Sequence, residues 1–177
     1  MKKMKIIIEG PDNVGKSTLI NNIIKNYKKN FLYLHYYATP DKENPIQWGK
    51  EQYNIMFNLF HTNPYVIADR AHLGELVYPE MYNGYDGTYV NTIESKYNTN
   101  DILLITLIDE PENLIRRDDG LSNSIDINKK AKEIELFKKA HDSSLIKNKM
   151  IINVKGYDEI ALKNKIFNTI EKMEIWE

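Results

Sequence analysis

The segment Gly10-Pro11-Asp12-Asn13-Val14-Gly15-Lys16-Ser17 constrains the fold more than any other part of the chain. It satisfies the pattern G-x-x-x-x-G-K-[S/T], follows the apolar run Ile6-Ile7-Ile8 and leads into an amphipathic stretch that starts at Lys16. Strand, glycine-rich turn and helix in that order make a phosphate-binding loop. The glycines let backbone N–H groups turn inward around an anion, and the helix N-terminus adds its dipole. On this reading Gly10, Asn13, Val14, Gly15, Lys16, Ser17 and Thr18 surround the phosphates of ATP. Lys16 reaches the terminal phosphates and Ser17 holds Mg²⁺. The alternative is a chance glycine turn before a helix; at average residue frequencies the full pattern is rare.

The rest of the chain extends the same rhythm. Short apolar runs at 5–8, 31–36, 65–68, 102–108 and 150–154 predict strands. Longer amphipathic stretches at 16–28, 45–61, 74–81, 90–96, 112–117, 127–147 and 157–173 predict helices. Strands alternating with helices imply a three-layer α/β/α fold of the P-loop NTPase class, with a five-stranded parallel sheet and its working residues at the carboxyl ends of the strands. A length of 177 residues, with no repeat and no Pro, Gly or Ser-rich linker, suits one domain over 1–177.

Composition narrows the function classes. The chain has no cysteine, so disulfides, thiolate metal sites and a cysteine nucleophile are excluded. His35, His61, His72 and His141 lack metal-ligand spacing, and zinc is not expected. A formal charge of −1 disfavours a protein that grips extended nucleic acid through excess positive charge. No apolar run approaches the length of a membrane span, and the run behind the basic start stops at Glu9, short of a signal peptide. A cytoplasmic location, the host cytoplasm if the chain is viral, is the expectation. The only arginines are Arg70, Arg116 and Arg117.

Among P-loop proteins, a GTPase is expected to carry N-K-x-D, and the Asn-Lys pairs at 128, 148 and 164 all lack the Asp. A motor needs a larger core. A small phosphoryl-transfer kinase remains. Its second element is Val66-Ile67-Ala68-Asp69-Arg70, a buried strand ending in an acid and a base. Asp69 suits Mg²⁺ or an attacking group, and the planar guanidinium of Arg70 suits an acceptor phosphate. The plain alternative is an ion pair at a strand end.

Ile8-Glu9-Gly10-Pro11-Asp12 through Lys16-Ser17-Thr18, then Asp69-Arg70 and Tyr78, resemble the thymidylate kinase branch of the nucleoside-monophosphate kinases. The run Asp69-Arg70-Ala71-His72-Leu73-Gly74-Glu75-Leu76-Val77-Tyr78 looks closest to small kinases of bacteriophage type. The resemblance implies that Asp12 contacts the sugar side of the acceptor, that Arg70 binds its phosphate and that Tyr78 lines the sugar or base pocket. His72 and Glu75 become candidate acceptor contacts, against a structural histidine and a helix-start carboxylate. Where such kinases often carry an Arg after the P-loop Asp, this chain has Asn13. In the branch lacking that Arg, arginines of a mobile lid replace it, and Arg116 and Arg117 head such a candidate lid over 116–128. A helix C-terminus with two basic residues is the alternative. Two further departures bear on the base. Tyr37-Ala38-Thr39-Pro40-Asp41 replaces an Arg-Glu-Pro segment, and Pro79 replaces a Gln.

Two aromatic groups stay open. Tyr78, Tyr82, Tyr85 and Tyr89 have helical spacing interrupted by Gly84 and Gly87, and the last three fit packing. Trp48, Phe57 and Phe60 fit either base stacking or plain core. The reading that results is ATP-dependent, Mg²⁺-assisted phosphorylation of a deoxynucleoside monophosphate, with dTMP, dUMP or a modified deoxyuridylate as the implied acceptor. Lys16, Arg116, Arg117 and Asp12 are its catalytic set, and Ser17 and Asp69 its metal pair. A deoxynucleoside kinase and a non-catalytic nucleotide-binding regulator are the alternatives. The partners are ATP and a small deoxynucleotide, with neither extended nucleic acid nor membrane, and the resemblance is compatible with a homodimer.

Overall fold

Two strands are wholly buried along their length, β1 (Met4–Glu9) and β4 (Ile102–Ile108). Such runs lack polar alternation because both faces are covered by helices. The computed structural model describes residues 3–37 and 40–172, apart from the side chain of Glu159. Its sheet is five-stranded and parallel, in the order β2 (Leu32–His35), β3 (Tyr65–Asp69), β1, β4, β5 (Asn148–Asn153). Successive side chains on these strands go to opposite layers. Ile6, Ile8, Ile67, Leu103 and Ile105 pack under α1 (Lys16–Tyr27) and α6 (Glu159–Lys172). Ile7, Val66, Ala68 and Leu104 meet α2 (Pro45–Thr62) and α5 (Ile127–Ser143) on the other face, with Val90 and Ile93 of α3 (Tyr89–Glu94). The expected three layers are present.

The order of the strands places the site. From β1 the chain goes to β2 and β3 on one side and then crosses to β4 on the other. The carboxyl end of β1, flanked by those of β3 and β4, is therefore the crevice where ligands of such sheets bind. Gly10 leaves β1 at φ 135°, and a Cβ there would lie 2.2 Å from Leu107 O, so only glycine fits against β4.

The expected helices differ from those found by one or two residues at most of their ends; α3 (Tyr89–Glu94) stops two residues before the expected 96, and two others change further in extent or kind. The helix expected over 74–81 is a 3₁₀ turn, His72–Leu76, followed by a π turn, Pro79–Asn83. Pro79 has no N–H to give to an α-helical ladder, and Glu9 captures the backbone N–H groups of Ala71 and Leu73 at the start. α5 ends at Ser143, short of 147. Ser144 Oγ and Leu145 N both donate to Glu94, which turns the backbone out of the helix. α4 (Pro111–Arg116) begins one residue before the expected start, with its proline in the first turn. Ala38, Thr39 and Met173 lie outside the described residues.

Candidate active site

The loop after β1 is shaped by its own backbone. Asn13 at φ 63° and Gly15 at φ 97° turn the chain before Lys16 opens α1. Lys16 Nζ donates to the carbonyls of Gly10 at 2.8 Å and Pro11 at 2.7 Å, which folds the ammonium over the loop. Burial, and then the nearby Arg70 guanidinium, push its pKa down to about 8. An ammonium held this way is short of anionic partners, and phosphate oxygens would supply them. A cavity of about 460 Å³ opens here, lined by Asn13 through Thr18, Arg70, Arg117 and Asp119. Val154, Tyr157 and Asp158, from the turn after β5, form its far wall.

At the end of β3, Asp69 is wholly buried. Its Oδ2 accepts from Ser17 Oγ at 2.9 Å and from Tyr33 Oη at 3.1 Å, and lies 3.3 Å from His35 Nδ1. Its Oδ1 is buried with no hydrogen-bond partner among the described residues. A hydroxyl beside a carboxylate with an unused oxygen is a donor pair suited to a hard cation such as Mg²⁺. Among the described residues no three His, Cys, Asp or Glu side chains cluster to hold a metal, so nucleotide phosphates and water would complete the set. Tyr33 and His35 were not singled out from sequence. The pairing His35↔Asp69 brings them in, and that register cannot be read from β2 alone.

Arg70 follows immediately, at φ 58°. A non-glycine residue in the left-handed region stores strain, which is common where a side chain is aimed at a ligand. Its Nη2 lies 2.8 Å from Asp12 Oδ1, which joins the acid inside the loop to the base at the end of β3. Arg70 lines the large cavity and also a second one of about 110 Å³. The second cavity is lined by Glu9, Gly10, Arg70, Gly74, Glu75 and Tyr78, with Tyr36, Tyr53, Tyr85 and Phe137 among its aromatic walls. Tyr78 Oη is buried without a hydrogen-bond partner among the described residues.

Glu75 lines this second cavity as the acceptor of three phenols: Tyr85 and Tyr89 at 2.9 Å on Oε2, and Tyr53 at 3.4 Å on Oε1. Burial holds its carboxyl above the usual carboxylate range, and the three hydroxyls offset that only in part. From α2 it is Tyr53 that reaches this cavity. Phe57 and Phe60 are core, and Trp48 lines neither cavity. Tyr82 donates to Glu133 at 2.6 Å. Thus Tyr82, Tyr85 and Tyr89, which fitted packing by their spacing, each place a hydroxyl on a buried or half-buried carboxylate.

His72 lies elsewhere. It is completely buried, its Nε2 is 3.0 Å from Glu94 Oε1, and it lines neither cavity. The structural reading of this histidine accounts for it. Glu9 is likewise committed, its Oε1 accepting from two backbone N–H groups at 2.9 Å. The two arginines at the end of α4 separate. Arg117 pairs with Asp109, donates through Nε to Asn113 O and lines the large cavity. Arg116 donates to Asn113 Oδ1, is exposed and does not line it. Asn13 ties the phosphate loop to the segment after α4, donating to Asp118 Oδ1 at 3.1 Å and Ser122 Oγ at 2.9 Å.

No family model matches the sequence, and no curated protein does. Solved structures do match. The YorR protein from Bacillus subtilis, solved with phosphorylated GDP, superposes at a TM-score of 0.73 with 20% identity, over 95% of this chain and 96% of that one. Thymidylate kinase from Candida albicans gives 0.62 with 18% identity over 99% and 94%. Deoxyadenosine kinase from M. mycoides, with dCMP and a flexible dCDP bound, gives 0.66 with 15% identity over 96% and 100%. Nearly the whole length of each is matched at low identity, so what these proteins share with the present chain is the three-layer P-loop fold of nucleotide and nucleoside kinases.

Proposed function

We propose that the chain transfers the γ-phosphoryl group of ATP to the phosphate of a deoxynucleoside monophosphate. One observation carries the reading: Arg70 lines both cavities at once. The large cavity sits over a phosphate-binding loop, and the small one has aromatic walls. A planar cation between them is where an acceptor phosphate would meet the terminal phosphate of a donor. Thymidylate kinase and deoxyadenosine kinase, which share this fold, support the reaction class.

Phosphoryl transfer asks the protein for alignment and charge. Lys16 would hold the terminal phosphate of the donor, and Arg70, steadied by Asp12, the phosphate of the acceptor. Arg117, which borders the donor cavity, would add charge on the outer side. Ser17 and Asp69 would hold Mg²⁺, which when bound neutralises charge on the donor phosphates. The stretch over 116–128, tethered through Asn13, would act as the lid that keeps water from the donor. The thymine or uracil base implied by resemblance has to fit against Glu75. Release of ADP, followed in parallel with deoxynucleoside monophosphates, deoxynucleosides and 5′-hydroxyl DNA, tests the proposal. Turnover with a monophosphate is expected, falling about 100-fold or more in Arg70→Lys because a point charge does not replace the planar fork. Turnover confined to nucleosides or DNA, or none at all, contradicts it.

A further inference from the structure

The wall of the proposed acceptor cavity around Glu75 has an unusual balance of donors and acceptors. Each phenol has one proton, and Tyr53, Tyr85 and Tyr89 all give theirs to Glu75. A carboxylate has only lone pairs to offer, and so has a phenol whose proton is already used. Glu75 Oε2 takes two of these bonds, while Oε1 takes one long one of 3.4 Å and keeps acceptor capacity. Glu75, Tyr53 and Tyr85 all line the cavity, and Glu75 is 8% exposed. The amides nearby, Asn83 and Asn123, belong to residues on the exposed rim. The Tyr78 hydroxyl, without a hydrogen-bond partner among the described residues, is buried near Asp12, Glu133 and Arg70 rather than in the Glu75 cluster. Around Glu75 itself the wall offers lone pairs, while the ring of Tyr36, packed on Tyr53 with 5.5 Å between centroids, brings a further phenol to the same cavity.

We infer that the site selects a nucleobase bearing an exocyclic amino group, with the Glu75 carboxylate as the acceptor that reads it. This rests on the proposed acceptor site, and it departs from the thymine or uracil implied by the sequence resemblance. An amino group of cytosine, adenine or guanine brings N–H donors to the wall. Thymine and uracil bring one N–H between two carbonyl oxygens, and both oxygens would face lone pairs. A buried acceptor left without its donor is costly, and a carbonyl opposed to it costs more. The backbone reinforces the placement of Glu75. A Cβ on Gly87 would sit 1.6 Å from Glu75 O, so the chain passes too close behind it for any other residue.

Matched bases test this directly: dCMP against dUMP, and dGMP against dIMP, each pair differing where the amino group is present or replaced. The kcat/KM of whichever pairs are turned over is expected to favour the amino base by at least about 10-fold. Glu75→Gln, whose amide can donate as well as accept, is expected to narrow the ratio to about threefold or less. If that variant does not fold, Tyr85→Phe, which frees lone-pair capacity on Glu75 Oε2, is expected to keep the preference. Equal or better use of dUMP and dIMP overturns the inference while leaving monophosphate phosphorylation standing. If no monophosphate is turned over, the proposed reaction fails. Calorimetric binding of the same pairs to the wild-type chain then decides the base preference separately, tighter binding of the amino partner supporting it and equal or weaker binding overturning it.

Discussion

Lys16 shows how the site stores binding capacity in an unfavourable residue. The residue is 5% exposed, and among the described residues its ammonium donates to loop carbonyls alone. With its pKa at about 8 in the fold against 10.5 when unperturbed, the unfolded chain binds more protons between those values. Stability attributable to Lys16 therefore rises as pH goes from about 8 to 10.5, and the charged form costs stability below about 8. Thermal melts of the wild type and Lys16→Met across that window are expected to diverge, the variant being more stable at pH 7 by up to about 3 kcal/mol and lacking this increment. Saturating ATP is expected to reverse the order at pH 7, since phosphate oxygens favour the charge. Parallel melting curves without nucleotide would contradict this account of the loop. The loop residues were legible in the sequence because motif, strand and helix coincide. The strain at Arg70 was not, because positive φ follows from how β3 meets the loop rather than from the residue type.

At the scale of elements, α4 decides which arginine can serve. Arg116 and Arg117 are consecutive, and about 100° of rotation per helical residue sends them to different surroundings. Arg117→Ala is expected to lower kcat by about 100-fold, the size seen when one charge-stabilising donor is lost. Arg116→Ala should stay within about threefold. Equal losses in steady-state kinetics would show that the segment rearranges enough to bring both to the phosphates. The 3₁₀ turn gives a complementary case. His72 contacts Glu94 and the ring of Phe57, with 5.2 Å between centroids, and it joins this turn to α3 and to the segment after α5. His72→Ala is expected to cost about 3 kcal/mol in urea unfolding, because Glu94 is left buried with fewer donors. The KM for the acceptor is expected to stay within about threefold. A stable variant with a raised KM would instead put His72 on the substrate. Sequence spacing could not separate these roles, since Arg70, His72 and Glu75 lie within one short segment but face different partners.

For the whole molecule, the layers and the strand direction followed from alternation of apolar runs and amphipathic stretches, and the sheet has the parallel order such a rhythm implies. What alternation cannot convey is register. His35 and Tyr33 reach Asp69, and Tyr53 reaches Glu75, through pairings and helix placements that bring together residues distant in sequence. The charge balance takes on a more local meaning in the fold. A net charge of −1 coexists with Lys16, Arg70 and Arg117 around one cavity, which suits small phosphates better than a polyanion. Among the described residues no helix is long and apolar enough to cross a membrane. The central claim, transfer between two nucleotides meeting at Arg70, is tested most directly by ³¹P NMR of the chain with ATP, Mg²⁺ and the four common deoxynucleoside monophosphates. The account predicts loss of the ATP γ signal with matching growth of ADP and of a deoxynucleoside diphosphate. An unchanged spectrum, or inorganic phosphate with every monophosphate intact, would contradict it.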